Sequence, residues 1–234
     1  MKRKIIYTGI GILFIFALAF SAYKLMNARN YQLFGNITSH IETHEKVVAL
    51  TFDDGPTQNT DAILTLLDTY NVKATFFLIG KDIEENPEEA KKIAEAGHQI
   101  GNHTYSHKRM VFKSQSFIKS EIEKTDALIA SIGYTETPAV RPPHGKKLIG
   151  FPYYLNKHHR KTITWNLEPD TYYTSTEDKI TYIKENIQPG SIILMHPMYD
   201  TTGKELQTIE KVLQTLIDDG YTFVTIEELQ KFKN

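Results

Sequence analysis

Cysteine is absent from the 234-residue sequence, which excludes thiolate metal sites, a cysteine nucleophile and any disulfide framework. An excess of one charge is missing as well, since 27 Lys and Arg stand against 28 Asp and Glu. Such a balance creates no long-range field to gather DNA or RNA, so nucleic acid is not an expected partner. Internal repeats, low-complexity tracts and a dinucleotide-type glycine fingerprint are also lacking. What remains is enough chain for one globular domain with a sizeable core.

Long apolar runs occur once. Lys2, Arg3 and Lys4 precede an uncharged, largely apolar stretch over residues 5–23, close to the roughly 20 residues that span a bilayer as a helix. Basic residues favour the cytoplasmic side, which places the rest of the chain outside. Ala19-Phe20-Ser21 offers a cleavage site, so residues 1–26 read as a retained signal-anchor or, alternatively, a cleaved signal peptide. A buried core helix is disfavoured because the run is apolar on every side.

Residues 27–45 are mixed and polar without a sustained period and read as a stalk, with the domain expected over 46–234. From there strand-like and helix-like segments alternate. Strands are expected at 47–52, 74–80, 98–103, into Arg141, and at 162–167, 190–196 and 221–226. Helices are expected from Asn59 or Thr60, burying Ile63, Leu66 and Leu67, then at 87–97, 117–132, 177–187 and 204–219. About seven strands in β/α alternation predict an α/β fold with a parallel sheet closed as a (β/α) barrel, chemistry sitting where strands end.

Polar residues cluster at those ends: Asp53-Asp54-Gly55, His103 with His107, Arg141, and His196. Adjacent carboxylates repel unless a cation or a base separates their roles. A turn or cap explains a lone Asp-Asp-Gly equally well, and a phosphoryl-transfer site wants a spacer between its aspartates. His103 and His107, four apart, converge on one ion if their segment makes a helical turn or compact loop; two solvated loop histidines are the alternative. Arg141 between Val140 and two prolines would hold a nearby carboxylate ionised, unless it makes an ordinary surface pair. His196 after an apolar strand needs a partner or a function. His40, His44, His98, His158 and His159 lack such settings and read as surface or packing residues.

Taken in order, TFDDG at 51–55, HTYSH at 103–107, RPPHG at 141–145, TWNLEPDTY at 164–172 and ILMH at 193–196 resemble the motifs of the polysaccharide deacetylases, carbohydrate esterase family four. The resemblance spans about 47–228. It implies a distorted barrel in which Asp54, His103 and His107 bind one divalent ion, zinc first, with cobalt or manganese as alternatives. Asp53 is then the general base, Arg141 positions it, and His196 is the general acid. Pro143, His144, Leu194, Trp165 and Tyr172 are placed at the substrate, with the His144 N–H as oxyanion donor and Leu194 at the acetyl methyl.

Two departures stand out. His144 replaces the family's usual tyrosine, and Thr171 replaces the acid that supports the arginine, so Glu168 or Asp170 is expected to substitute. The resemblance implies a deacetylase; the anchor, which faces the envelope, makes the expected substrate of this extracytoplasmic monomer a carbohydrate polymer, peptidoglycan N-acetylglucosamine first, chitooligosaccharide or an exported glucan next. Tyr153, Tyr154, Tyr172 and Tyr199 are candidate sugar platforms. An O-acetyl xylan esterase would share the metal and base. A non-catalytic carbohydrate-binding module would need neither Asp53 nor His196, and a structural metal site would fill every position with protein ligands.

Overall fold

The computed structural model of the chain describes residues 2–233. In chain order the elements are α1 (Lys2–Asn27), β1 (Ile37–Thr38), β2 (Val47–Asp53), α2 (Thr60–Thr69), β3 (Thr75–Leu78), α3 (Gly80–Glu85), α4 (Pro87–Glu95) and β4 (Gln99–Asn102). They continue with α5 (Gln115–Ser131), α6 (Gly150–Lys157), β5 (Thr162–Ile163), α7 (Thr176–Asn186), β6 (Ile192–Met195), α8 (Lys204–Asp218), β7 (Thr222–Phe223) and α9 (Ile226–Leu229).

β2 is the centre of the sheet, and every one of its seven residues is buried, as a parallel strand covered on both faces must be. It pairs in parallel with β3 through Thr51↔Thr75, with β6 through Ala49↔Ile192, and at its start with β7 through Val47↔Thr222. β4 adds to β3, and β1 pairs with β5. Single parallel bridges, Asn102↔Val140, Val140↔Thr162 and Leu167↔Ile193, link these groups. The result is a mixed α/β fold on a parallel sheet.

The two-residue period of a strand sorts side chains to two sides. Val48, Leu50 and Phe52 join Phe76, Ile193 and Met195 in the cluster beneath α2, α4 and α8, while Val47 and Ala49 join Phe77, Trp165, Ile192 and Leu194 in a second cluster. Continuing that alternation puts Asp53 on the side of Ala49, His103 on the side of Gly101, and His196 on the side of Leu194. Gly101 is required there: a Cβ on it would lie 2.3 Å from the Phe77 ring.

Helices at 60–69, 87–95, 115–131, 176–186 and 204–218 match the expected periodicities to within two residues at each end. α2 buries Ile63 and Leu67, with Leu66 only partly covered. Asn59 does not cap it through its side chain; its amide donates instead to Met198 O and Asp200 O, tying α2 to the loop after β6.

Three expectations change. The strand into Arg141 shrinks to the single bridging residue Val140, because Pro138, Pro142 and Pro143 remove the N–H donors that would extend a ladder. The segment that follows, for which the sequence predicts no helix, contains α6, which buries Phe151, Tyr154 and Leu155. Its Pro152 falls in the first turn, where an N–H has no intrahelical partner to lose.

Residues 27–45 are not a free stalk. They supply β1, bury Gln32 and Ile41, and are fastened by Gln32 Nε2 donating to Thr162 Oγ1 and Ile41 N donating to Gly190 O. A Cβ on Gly190 would sit 1.8 Å from Ile41 O, so that close approach also needs a glycine. The segment lacked a period because side-chain to backbone bonds, rather than a repeating apolar face, hold it.

α1 stands apart. Its span Gly9–Asn27 has a mean hydropathy of 1.9 and none of it is buried in the protein, so it is long and apolar enough to cross a membrane and is not a core helix. The side chains of Lys2, Arg3 and Lys4 lie outside the described residues.

Candidate active site

The sorted strand ends deliver their polar residues to one pocket of about 450 Å³, lined by Asp53, Asp54, His103, His107, His144, Trp165, Glu168, Thr171, His196 and Arg29. A larger groove of about 620 Å³ between α2 and the 197–206 loop gathers no comparable set of titratable groups.

Asp54, His103 and His107 present one ligand atom each, all within 4.8 Å of one another. The His107 Nε2 to Asp54 Oδ1 distance is 3.3 Å and the His103 Nε2 to Asp54 Oδ1 distance 3.9 Å. Ligand atoms around a tetrahedral ion with bonds of about 2.0–2.1 Å lie roughly 3.3 Å apart, so little movement is needed. Buried Asp54 Oδ1 has no hydrogen-bond partner, which leaves it free for a cation. Burial holds both imidazoles neutral, His107 down to about 4, leaving nitrogen lone pairs available. His103 Nδ1 lies 2.8 Å from Arg141 O; that contact orients the ring with Nε2 toward the cluster. These residues fit a divalent ion with open positions.

The local backbone is bent to achieve this. Asp54, Thr104, His107 and His144 all have φ between 53° and 73°, the left-handed region that costs a non-glycine residue on the order of 1–3 kcal/mol. The 103–107 segment is a compact loop, the second of the two shapes that let histidines four apart converge.

Asp53 sits behind the cluster. Its Oδ1 accepts from Arg141 NH1 at 2.6 Å, and its Oδ2 is 3.4 Å from His103 Nε2. Burial alone would raise its pKa, but Arg141, His103 and His196 outweigh burial and hold the carboxyl below the usual range. Arg141, fully buried, is itself fixed by Thr51 Oγ1 at 2.9 Å and Thr164 O at 3.1 Å.

Neither Glu168 nor Asp170 hydrogen-bonds Arg141, contrary to expectation. A threonine hydroxyl and a backbone carbonyl do that work. Glu168 accepts from Trp165 Nε1 at 2.9 Å and pairs with Arg29 at 2.7 Å. Asp170 accepts from the His196 backbone N–H at 2.8 Å and lies 3.5 Å from its Nδ1. Burial would lower the His196 pKa; Asp170, then Asp53 and Asp54, overcome it and lift the imidazole to about 9. Buried Lys179 bridges Asp170 and Glu205 at 2.9 and 2.5 Å, a network that sequence reasoning missed.

Of the expected substrate residues, His144 and Trp165 reach the pocket wall. Pro143 is buried, and Leu194 is fully buried against Trp165 and Phe77. Tyr172 is exposed and packs with Tyr173 and Tyr182 away from the pocket lining. Tyr154, expected as a sugar platform, is a core residue of α6, whereas Tyr153 and Tyr199 are exposed. His98 is buried and accepts from Ala74 N, a packing residue as expected. Arg29 in the pocket was not foreseen; it falls in the segment read as a stalk.

Fold and site define an α/β protein in which three side chains able to hold a metal ion are flanked by a low-pKa carboxyl and a high-pKa imidazole. The family model "Polysaccharide deacetylase" matches residues 40–162, more than half of the chain, and the chain belongs to that family. It is 35% identical over 188 residues to a peptidoglycan-N-acetylglucosamine deacetylase of Bacillus cereus, covering 78% of this chain and 67% of the relative. The same identity extends over 193 residues to PgdA of Listeria monocytogenes, a peptidoglycan-N-acetylglucosamine deacetylase of which the chain spans only 39%.

Among solved structures, a peptidoglycan N-acetylglucosamine deacetylase superposes with a TM-score of 0.79 at 29% identity, covering 85% of this chain and 95% of the other. A family pseudoenzyme from Bacillus anthracis superposes with a TM-score of 0.78 at 27% identity, covering 86% and 71%. Shared fold therefore does not by itself imply turnover in this family; the side chains have to carry that argument.

Proposed function

We propose that the chain is a metal-dependent hydrolase that removes N-acetyl groups from a carbohydrate polymer, peptidoglycan N-acetylglucosamine in the first place. The observation that carries this reading is the pairing of opposite charge states across one pocket. Asp53 is kept anionic and His196 cationic on either side of the Asp54–His103–His107 cluster. A hydrolysis near neutral pH needs such an ionised base and protonated acid together, and a non-catalytic binding module has no use for either.

A divalent ion held by Asp54, His103 and His107, zinc or else cobalt or manganese, supplies Lewis-acid polarisation of the acetyl carbonyl and of water. Asp53 accepts the proton of the attacking water, with Arg141 fixing the carboxylate so that Oδ2 faces the pocket. The backbone N–H of His144 donates to the developing oxyanion. His196 delivers its proton to the departing sugar nitrogen, which would otherwise leave as a strongly basic amide anion. Asp170 orients that imidazole and stabilises its protonated form.

The strand pairings support a distorted barrel: β2–β3–β4, then Val140, the β5 segment through Leu167, β6 and back to β2 form a continuous circuit of parallel contacts. α1 is read as a signal-anchor that leaves the catalytic part outside the membrane, a monomer facing the envelope where the relatives' named substrate is found. To test the function, the purified chain is incubated with peptidoglycan, chitooligosaccharide and acetylxylan, and released acetate is quantified. Release from the first two supports N-deacetylation, release from acetylxylan alone replaces it with esterase activity, and none from any substrate refutes the reading.

A further inference from the structure

Arg29 comes from the stretch directly after α1, outside residues 40–162 matched by the family model, yet it forms part of the pocket wall. Its position is built rather than incidental. The guanidinium carbon lies 4.4 Å from the centroid of the Trp165 ring, and NH2 is 2.7 Å from Glu168 Oε2. Glu168 in turn accepts from the indole of the same Trp165, so the three side chains brace one another. The backbone is held too, since Arg29 O accepts from Thr164 Oγ1 at 2.5 Å and Ala28 O from Lys147 Nζ, and the Asn27 side chain accepts from Lys146 Nζ through Oδ1.

An arginine carries five N–H donors in a fixed fork. Glu168 takes up one edge, and among the described residues the guanidinium makes no other side-chain pair. Its side chain remains about one-third exposed, at the rim of a pocket whose base is the cluster and the acid–base pair. Because Glu168 neutralises its charge, the remaining donors suit neutral sugar oxygens better than a free anion.

We propose that Arg29 is a substrate-positioning residue, donating hydrogen bonds to a hydroxyl or ring oxygen of the N-acetylated sugar in the pocket, with Trp165 and Glu168 holding its fork in place. The inference rests on the deacetylase reading for the identity of the ligand. It also makes residues 27–32 part of the catalytic unit. Asn27 ends α1 and Arg29 is two residues on, a reach of at most about 7 Å, so the pocket stands at the very end of that helix and not at the tip of a spacer.

The test uses the full chain in detergent with Arg29→Ala and Arg29→Lys. Trp165 is the only tryptophan and lies under Arg29, so its fluorescence reads binding of an N-acetylated chitotetraose without requiring turnover. Acetate release in the same samples gives KM and kcat, and thermal unfolding with zinc content confirms an intact site. Arg29→Ala is expected to weaken binding and raise KM by about 10-fold or more while kcat changes less than about threefold, with Arg29→Lys in between.

Equal Kd and KM for the native chain and Arg29→Ala would overturn the proposal, as would a loss confined to kcat, or a native chain whose tryptophan senses no sugar. A native chain that binds the sugar through Arg29 but releases no acetate from it, from peptidoglycan or from acetylxylan would leave this inference standing and refute the deacetylase reading. If Arg29→Ala unfolds, the Kd of Arg29→Lys alone decides: a value unchanged from the native chain means the fork does not hold the sugar.

Discussion

On the β2 side of the pocket a carboxyl is held anionic by a buried cation; on the β6 side an imidazole is held cationic by a buried anion. Asp53 is buried and His196 about one-third exposed, and loss of water by itself favours the neutral form of each. Arg141 reverses that tendency on one side, and Asp170 reverses it on the other, backed by Lys179 and Glu205. Charge state on each flank is thus set by the partners a group meets, not by its residue type. Between the two flanks, Asp54 is the contrasting case: burial and the neighbouring Asp53 push its pKa up, which leaves it poorly stabilised as an anion until a cation arrives.

The largest effect is expected from emptying the space between the flanks. Chelation should reduce acetate release to background, and added Zn²⁺ or Co²⁺ should restore it; full activity in metal-free protein, verified by elemental analysis, would remove the cluster from the account. Next comes the acid side. His196→Gln should lower kcat by about 10²- to 10⁴-fold with zinc content unchanged. A loss of less than tenfold would mean that another group, or water, protonates the leaving nitrogen.

Asp170→Asn sharpens the comparison more gently. Without that anion the imidazole loses the largest influence that raises it, so the alkaline limb of the pH–rate profile should move to lower pH. An unshifted limb would show that Asp170 does not set the acid. The same substitution bears on stability. A histidine raised to about 9 from an ordinary 6.5 contributes stability that is complete below about 6.5 and lost as pH rises through about 9. Metal-free protein should therefore melt at lower temperature between those pH values, and Asp170→Asn should flatten that slope.

The smallest effect is predicted for the most conspicuous feature of the sequence. Deleting residues 1–26 should leave a folded, soluble domain with activity close to that of the whole chain, since α1 buries nothing in the protein. Deleting 1–32 should differ, because it also removes Arg29 and Gln32. Equal behaviour of the two truncations would mean that the docked segment contributes nothing.

Much of this was legible in the sequence where a physical period or a motif carried it. The buried strand at 47–53, the amphipathic helices and the sorting of Asp53, His103 and His196 to one side all follow from periods of two and 3.6. Less regular features escaped. Arg29 and Gln32 sit in a segment held by single hydrogen bonds, which leave no periodic trace. Support for Arg141 beyond Asp53 is expected among acids, yet Thr51 Oγ1 and Thr164 O provide it, and a backbone carbonyl has no signature in a sequence. Lys179 looked like any helix lysine until α7 packed it against Asp170 and Glu205. Tyr154 reads as a candidate sugar platform in the sequence because α6, with Gly and Pro in its first turn, carries no helix signal there.

The central claim, that two adjacent aspartates do different work, is tested most directly by measuring zinc content and acetate release side by side for Asp53→Asn and Asp54→Asn. Asp53→Asn leaves Arg141 without its counter-charge, a change that costs on the order of 3–5 kcal/mol for a buried pair, so both variants are assayed at a temperature where unfolding curves show them native. Asp53→Asn is expected to retain the metal and lose about 10²- to 10⁴-fold in turnover, while Asp54→Asn loses metal and activity together. Metal lost from Asp53→Asn and kept by Asp54→Asn would contradict that claim and reverse the two assignments.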